Sequence, residues 1–291
     1  MAPLLEEHYM PLIRRALEED VGSGDATTLA TVPEGRGGAA ELRVRQDIVV
    51  AGLPVAAAVF AVVDPAMACR LRVADGDVVL AGTVLMNVEG PLRGILTGER
   101  TALNFLQHLS GVATLTARYV AAVAGTRARI LDTRKTLPGW RVLEKYAVAC
   151  GGGTNHRQGL FDMIMIKDNH LAALSDVADP VSEGVRRARK QSPGLKVEVE
   201  ADTLEQAVRA AEAGADRVLL DNMNPDMLRE AVQLIAGRCE TEASGGVHLD
   251  HVRALAESGV DFISVGALTH SAPAVDIGLD FVGADGKGAT A

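Results

Sequence analysis

In the run KVEVEA at 196–201, valines and glutamates alternate. A strand sends successive side chains to opposite faces, so Val197 and Val199 share one face while Glu198 and Glu200 share the other. Carboxylates on the inner face are unexpected, because a parallel strand normally reads as an unbroken apolar run. The same alternation groups Lys167 with Met163 and Met165, Asp221 with Leu219, and Ser244 with Glu242. Each of these polar residues closes its segment. Six segments end this way, in Arg134 and Lys135, in Lys167, Asp168 and Asn169, in Glu200, in Asp221, in Ser244 and Gly245, and in Gly266. The C-terminal ends of barrel strands carry the loops that build active sites, so this recurrence predicts a site.

The residue types sort into three chemistries. Arg134 and Lys135, with His156 and Arg157 on the Gly-rich stretch GGGTNHRQG and Lys167, form a cationic cluster inside an acidic protein. Arginine forks suit planar carboxylates, whereas lysine offers a point charge suited to phosphate. Glu200 and Asp221 make a carboxylate pair without a Cys or His companion at ligand spacing, a donor set that favours Mg2+ or Mn2+. Ser244-Gly245-Gly246 and the stretch ending at Gly266 place small residues, with open backbone N–H groups, where βα barrels bind phosphate. None of Cys69, Cys150 and Cys239 lies at a strand end, so no cysteine nucleophile is indicated. The chemistry implied is metal-assisted transfer on a phosphorylated substrate, with a carboxylated co-substrate.

Repeated βα units would position these groups. Candidate strands fall at 128–135, 162–170, 196–201, 217–222, 240–246 and 262–267, separated by helical patterns such as LEQAVRAAEAG and LDHVRALAESG. Six units fall short of eight, which predicts an open, incomplete (β/α) barrel of about six to seven parallel strands over 111–274. Ahead of it, an amphipathic helix at 4–20 and short turn-bounded strands predict an N-terminal α/β sandwich over 1–110, and a helical pattern begins at Glu99. GADGKGATA at the end reads as a frayed tail.

Composition narrows the partners. The chain has 291 residues and a net charge of −9, with only five Phe, three Tyr and one Trp. Phosphate neutralisation by clustered cations and aromatic stacking are both poorly served, which argues against nucleic acid. Three widely spaced cysteines make neither a disulfide framework nor a paired metal site. No signal-like or membrane-length apolar run occurs, so a cytoplasmic protein is expected.

Longer motifs carry a resemblance. EEDVGSGDATT (18–28), GERTALNFLQHLSGVAT (98–114), DTRKTLPGWRVLEKYAVACGGGTNHRQGLFDMIMIKDNH (132–170), VEVE, LLDNM, EASGG and ISVGALTHSAPAVDIGLDF (263–281) resemble the quinolinate phosphoribosyltransferases, the decarboxylating type II phosphoribosyltransferases. The resemblance implies a sandwich domain, rejoined by 275–291, and an open barrel. It implies conversion of quinolinate and 5-phosphoribosyl 1-pyrophosphate to nicotinate mononucleotide, pyrophosphate and CO2 with Mg2+. By motif, Arg134, Lys135, His156, Arg157 and Lys167 would surround quinolinate and the pyrophosphate. Glu200 and Asp221 would face the ribose hydroxyls and Mg2+. Ser244, Gly245, Gly246, Gly266 and His270 would hold the 5-phosphate, and Arg100 would reach the site of the other subunit of a homodimer. Lys135, Lys167, Glu200 and Asp221 would be catalytic. Two rivals stand beside this. A nicotinate phosphoribosyltransferase or other type II relative needs fewer cations than Arg100, Arg134 and Arg157 supply. A non-catalytic binder of phosphorylated ligands gains nothing from Glu200 and Asp221.

Overall fold

The computed structural model describes residues 4–282. The terminal run 283–291, expected above to fray and to rejoin the sandwich, lies outside the described residues. In chain order the elements begin with α1 (Glu6–Val21), α2 (Ala26–Thr31), β1 (Gly37–Val44), β2 (Ile48–Val49), α3 (Leu53–Val63), β3 (Ala68–Leu71), β4 (Val78–Val79) and β5 (Val84–Pro91). They continue with α4 (Leu92–Ala122), β6 (Arg129–Leu131), α5 (Arg141–Cys150), β7 (Ile164–Ile166), α6 (Asp168–Ala172), α7 (Pro180–Gln191), β8 (Val197–Ala201) and α8 (Leu204–Glu212). The last are β9 (Arg217–Asp221), α9 (Pro225–Ile235), β10 (Glu240–Ser244), α10 (Val252–Ala256), β11 (Phe262–Ser264), α11 (Ala267–His270) and β12 (Ile277–Phe281). Two compact units result: residues 4–117, 138–152 and 272–282 form one, and 118–137 with 153–271 the other.

The first unit has an antiparallel sheet in the order β12-β1-β5-β3 and a small β2-β4 pair. Helix α3 is apolar on every side, and Leu53, Val55, Ala56, Val59 and Phe60 are all fully buried. Burial of each Leu, Val or Phe of this kind contributes about 1.5–3 kcal/mol. Because α3 has no polar face, its periodicity is invisible in the sequence. Helix α4 opens at Leu92 rather than at Glu99 as expected. Two glycines conceal its first turns, and both have packing reasons. A Cβ at Gly98 would lie 2.9 Å from Phe60 Cδ1, and one at Gly94 would lie 3.2 Å from Met67 Sδ.

The second unit has a six-stranded parallel sheet in the order β6-β11-β10-β9-β8-β7. Its edges are β6 and β7, the first two strands of the barrel segment, which do not pair with each other, and the last strand, β11, lies between β6 and β10. The barrel is open, as expected. An isolated parallel bridge between Leu131 and Thr154 extends the sheet beyond β6. It is the trace of a seventh strand. The helices between strands start and stop on local chemistry. Thr203 Oγ1 accepts the Gln206 N–H at 3.2 Å while Gln206 Oε1 accepts the Thr203 N–H at 3.2 Å, a capping box that starts α8. Ala207 and Ala210 on α8 are fully buried, and a face of alanines lets the helix lie close to the sheet. Asn224 caps α9 ahead of Pro225, at the first helical position where its missing N–H costs nothing.

Candidate active site

A cavity of about 480 Å3 opens at the C-terminal ends of the second unit's strands. Its lining includes Arg134, Lys135, His156, Arg157, Lys167, Glu200, Asp221 and Ser244, together with Met165, Leu219, Glu242 and Ser264. The alternation read in the sequence thus brings the cationic cluster, the carboxylate pair and the first residue of the glycine turn around one space. Gly245, Gly246, Gly266 and His270 are not in the lining, although they belong to the loops that rim it. Arg100 lies exposed on α4 in the first unit, and it is in the third turn of that helix rather than its first. The cavity described here is lined by residues of the second unit alone.

Each side chain is placed by its element. Buried Asp132, just after β6, accepts the His156 N–H at 2.8 Å and the Asn155 amide at 2.9 Å, which pins the loop that carries His156 and Arg157. Arg157 Nη1 donates to the Met163 carbonyl at 3.2 Å. Burial and the neighbouring Arg134 guanidinium draw Arg157 below its ordinary value, so two cations face one space and an anion there would relieve both. Lys167 caps α6 and forms an ion pair with Glu200. The expected assignment had these two facing different parts of the ligand; here they face each other, and an incoming anion competes with Glu200 for the ammonium. Thr269 Oγ1 donates to the Lys135 carbonyl at 2.7 Å, which anchors the loop after β6 to α11. A Cβ at Gly266 would come within 3.0 Å of Lys135 Cδ and 3.2 Å of His270 Nε2, so glycine there admits both side chains.

Beneath the cavity lies a network that sequence reasoning did not assemble. Glu198 and Glu242 are wholly buried, His156 is 8% exposed and Arg217 9%. His156 Nε2 lies 3.1 Å from Glu198 Oε2 and 3.4 Å from Glu242 Oε2. Arg217 Nη1 donates to Glu242 Oε2 at 3.0 Å, and its guanidinium stacks 4.0 Å from the Phe262 ring centre. Burial opposes charge on His156, but hydrogen bonds to the two carboxylates outweigh it and raise the imidazole to about 9. Burial, and then Glu242, raise Glu198, while His156 and Arg217 overcome burial and hold Glu242 low. The Arg157 N–H reaches His156 Nδ1 at 2.7 Å. That bond favours a neutral ring with its proton on Nε2, against the carboxylates' pull toward the imidazolium. Two buried carboxylates within 3.4 Å are the larger influence, and we read the imidazolium as the dominant form. His156, Glu198 and Glu242 could together hold a metal ion. Arg217 and the imidazolium already match the two carboxylates in charge. The sequence signals only that Arg217 falls on the same face as Asp221 by period two; its register partners, Glu198 and Glu240, are set by the sheet order.

A cationic cluster, paired carboxylates and a glycine turn at the open end of an incomplete βα barrel define an enzyme-type site for anionic, hydroxyl-bearing substrates. Models of the quinolinate phosphoribosyl transferase N-terminal and C-terminal domains match residues 25–110 and 112–280. The chain belongs to the quinolinate phosphoribosyl transferase family. It is 46% identical to the nicotinate-nucleotide pyrophosphorylase [carboxylating] of Mycobacterium leprae, over 92% of this chain and 95% of that protein. With the chloroplastic protein of the same name from Arabidopsis thaliana it is 44% identical, over 92% of this chain and 81% of the other. The crystal structure of NadC from Streptococcus pyogenes superposes with a TM-score of 0.91 at 39% identity, covering 97% of this chain and all of that one. Human nicotinic acid phosphoribosyltransferase, at 13% identity and a TM-score of 0.62 over 99% of this chain and 76% of its own, shares the fold alone.

Proposed function

We propose that this protein transfers the phosphoribosyl group of 5-phosphoribosyl 1-pyrophosphate to quinolinate and releases pyrophosphate and CO2, giving nicotinate mononucleotide. The observation that carries the reading is the cavity itself, in which cations suited to a dicarboxylate face Glu200 and Asp221 beside the Ser244 turn. The names of its relatives point the same way.

In this reading Arg134, Arg157 and Lys167 hold the two carboxylates and orient the ring nitrogen toward C1 of the ribose, while Lys135 meets the pyrophosphate. His156, whose two ring nitrogens face protein groups, supports the Arg157 loop from beneath. The nitrogen lone pair forms the bond to C1 as the C1–O bond to pyrophosphate breaks. Glu200 and Asp221 face the ribose and stabilise positive charge developing at C1. The bond from C2 to its carboxylate then breaks, CO2 leaves, and the electron pair left on C2 lies beside the cationic ring nitrogen until C2 takes a proton from solvent. Ser244, Gly245, Gly246, Gly266 and His270 receive the 5-phosphate.

Glu200 and Asp221 present oxygen donors on neighbouring strand ends, a set that fits Mg2+ through substrate oxygens or water. When bound, such a cation neutralises the leaving pyrophosphate. The reading extends to a homodimer in which Arg100 serves the partner's cavity, and to a cytoplasmic location. No helix among the described residues is long and apolar enough to cross a membrane.

Incubation with quinolinate, the phosphoribosyl donor and Mg2+ should yield CO2 and nicotinate mononucleotide in equal amounts, and nicotinate in place of quinolinate should yield little product. Turnover of nicotinate at the quinolinate rate would overturn the assignment of the acceptor.

A further inference from the structure

We infer that Asn222 is a positioning residue of the phosphoribosyl subsite, holding the Asp221 carboxylate and the Ser244-Gly245 turn in one fixed arrangement. The inference rests on the functional reading above and deepens it.

Among the described residues only two non-glycine positions have a positive φ, Asn222 at 54° and Ala236 at 52°. Ala236 closes α9 and needs no further account, since helices commonly end in that conformation. Asn222 ends no helix. It follows β9 directly, at the rim of the cavity, where a left-handed residue other than glycine is held in place by its surroundings.

Three contacts do so. The Asn222 amide Nδ2 donates to Asp221 Oδ2 at 2.6 Å. Its backbone N–H donates to the Ser244 carbonyl at 2.9 Å. Its side-chain amide packs against Gly245, so a Cβ there would fall 2.1 Å from Asn222 Oδ1 and 2.6 Å from Cγ. Gly245 is therefore glycine twice over, for its φ of +95° and for the amide on top of it.

These contacts matter because Asp221 and Ser244 are register partners on adjacent parallel strands. One bears a carboxylate suited to sugar hydroxyls and the other opens a turn suited to phosphate. A ligand that carries both groups on one small ring must satisfy both positions at once, so their separation selects a pentose phosphate over either part alone. Asn222 touches both. It fixes the rotation of the carboxylate through a charge-assisted hydrogen bond and fixes the turn by packing and a backbone bond.

The test is a double-mutant cycle read by calorimetric binding of ribose 5-phosphate and by steady-state kinetics, with Asn222→Gly, Asp221→Asn and the double variant. Glycine tolerates the backbone conformation, so Asn222→Gly deletes the amide while the circular-dichroism melting curve should stay that of the wild type. Asn222→Gly should weaken ribose 5-phosphate about 10-fold or more and lower kcat/KM for the donor about 10- to 100-fold, the range for loss of a hydrogen bond to a charged group. The KM for quinolinate should change less than about twofold. In the Asp221→Asn background the same substitution should cost markedly less. Asn222→Asp keeps the shape but sets a second carboxylate against Asp221, and its loss should exceed that of Asn222→Gly.

Additive losses in the cycle, or equal rises in KM for donor and acceptor, would overturn the inference. So would a wild-type-like Asn222→Asp. A wild-type chain that binds ribose 5-phosphate but makes no nicotinate mononucleotide defeats the functional reading and leaves Asn222 to be judged by the binding cycle. One that does neither defeats both.

Discussion

Arg217→Met should reveal how the floor of the cavity is held together. The guanidinium contributes three separable interactions. Its contact with Glu240 at 3.1 Å involves a side chain that is 35% exposed, and such a pair contributes at most about 1 kcal/mol. Its stacking on Phe262 contributes about 1 kcal/mol, part of which the methionine side chain retains. Its pair with wholly buried Glu242 is different in kind, because removing one partner leaves a buried charge uncompensated, at a cost of about 3–5 kcal/mol. The total expected is therefore about 4–6 kcal/mol at pH 8, nearly all of it from Glu242, and less at pH 6, where protonation can remove the charge. The double variant Arg217→Met/Glu242→Gln should be more stable than Arg217→Met alone. Urea unfolding followed by far-ultraviolet circular dichroism measures this across the chain, while Trp140 fluorescence reports the first unit alone. A loss below about 1 kcal/mol at pH 8, or a double variant less stable than the single one, would refute the account of a balanced buried charge set.

Further tests bear on the same unit and on the reaction. His156, raised to about 9, contributes stability that is complete below its unfolded value near 6.5 and is lost as pH rises through about 9. That contribution is about 3 kcal/mol, and His156→Gln should flatten the fall in urea midpoint between pH 6 and 9.5. Lys167→Ala and Arg134→Ala should abolish turnover and leave the melting curve intact, since Lys167 is 42% exposed; near-normal kcat/KM would remove either from the site. Glu200→Gln and Asp221→Asn should lose the Mg2+-dependent rate while quinolinate affinity stays within about threefold, and calorimetry separates the two. If Arg100 acts in trans, inactive Arg100→Ala and Lys167→Ala homodimers should recover about a quarter of wild-type activity after random subunit exchange; a mixture that stays inactive after exchange places Arg100 in its own chain's site.

What the sequence disclosed was what period two discloses. The alternation in KVEVEA, DMIMIKDNH and RVLLDN placed Glu200, Lys167 and Asp221 at strand ends, and all three line the cavity. Interactions between strands were not legible. Arg217 stands two residues before Leu219 and reads as an ordinary charged strand start, and only sheet order and register bring it to Glu198 and Glu242. Asn222 was hidden for another reason. Its function lies in a backbone angle of 54° and in the glycine packed beneath it, and neither leaves a hydrophobic pattern. Helix α3 escaped because an all-apolar helix has no amphipathic period, and the start of α4 because Gly94 and Gly98 look like breakers when they are contact surfaces.

The pairing of β12 with β1 bears on synthesis. Ala40 to Val44 are register partners of Ile277 to Phe281, so β1 waits for β12, the last strand among the described residues. At ribosomal speed that interval is on the order of tens of seconds, and the second unit emerges in full within it. During that time β1 presents an unpaired edge, the kind of surface that recruits stray strands. Glu41 and Arg43, two charged residues along that edge, are then its guard against aggregation on the nascent chain. A premature stop between His270 and Ile277 would make the exposure permanent, so such a truncated product should be insoluble even though the whole cavity has been translated.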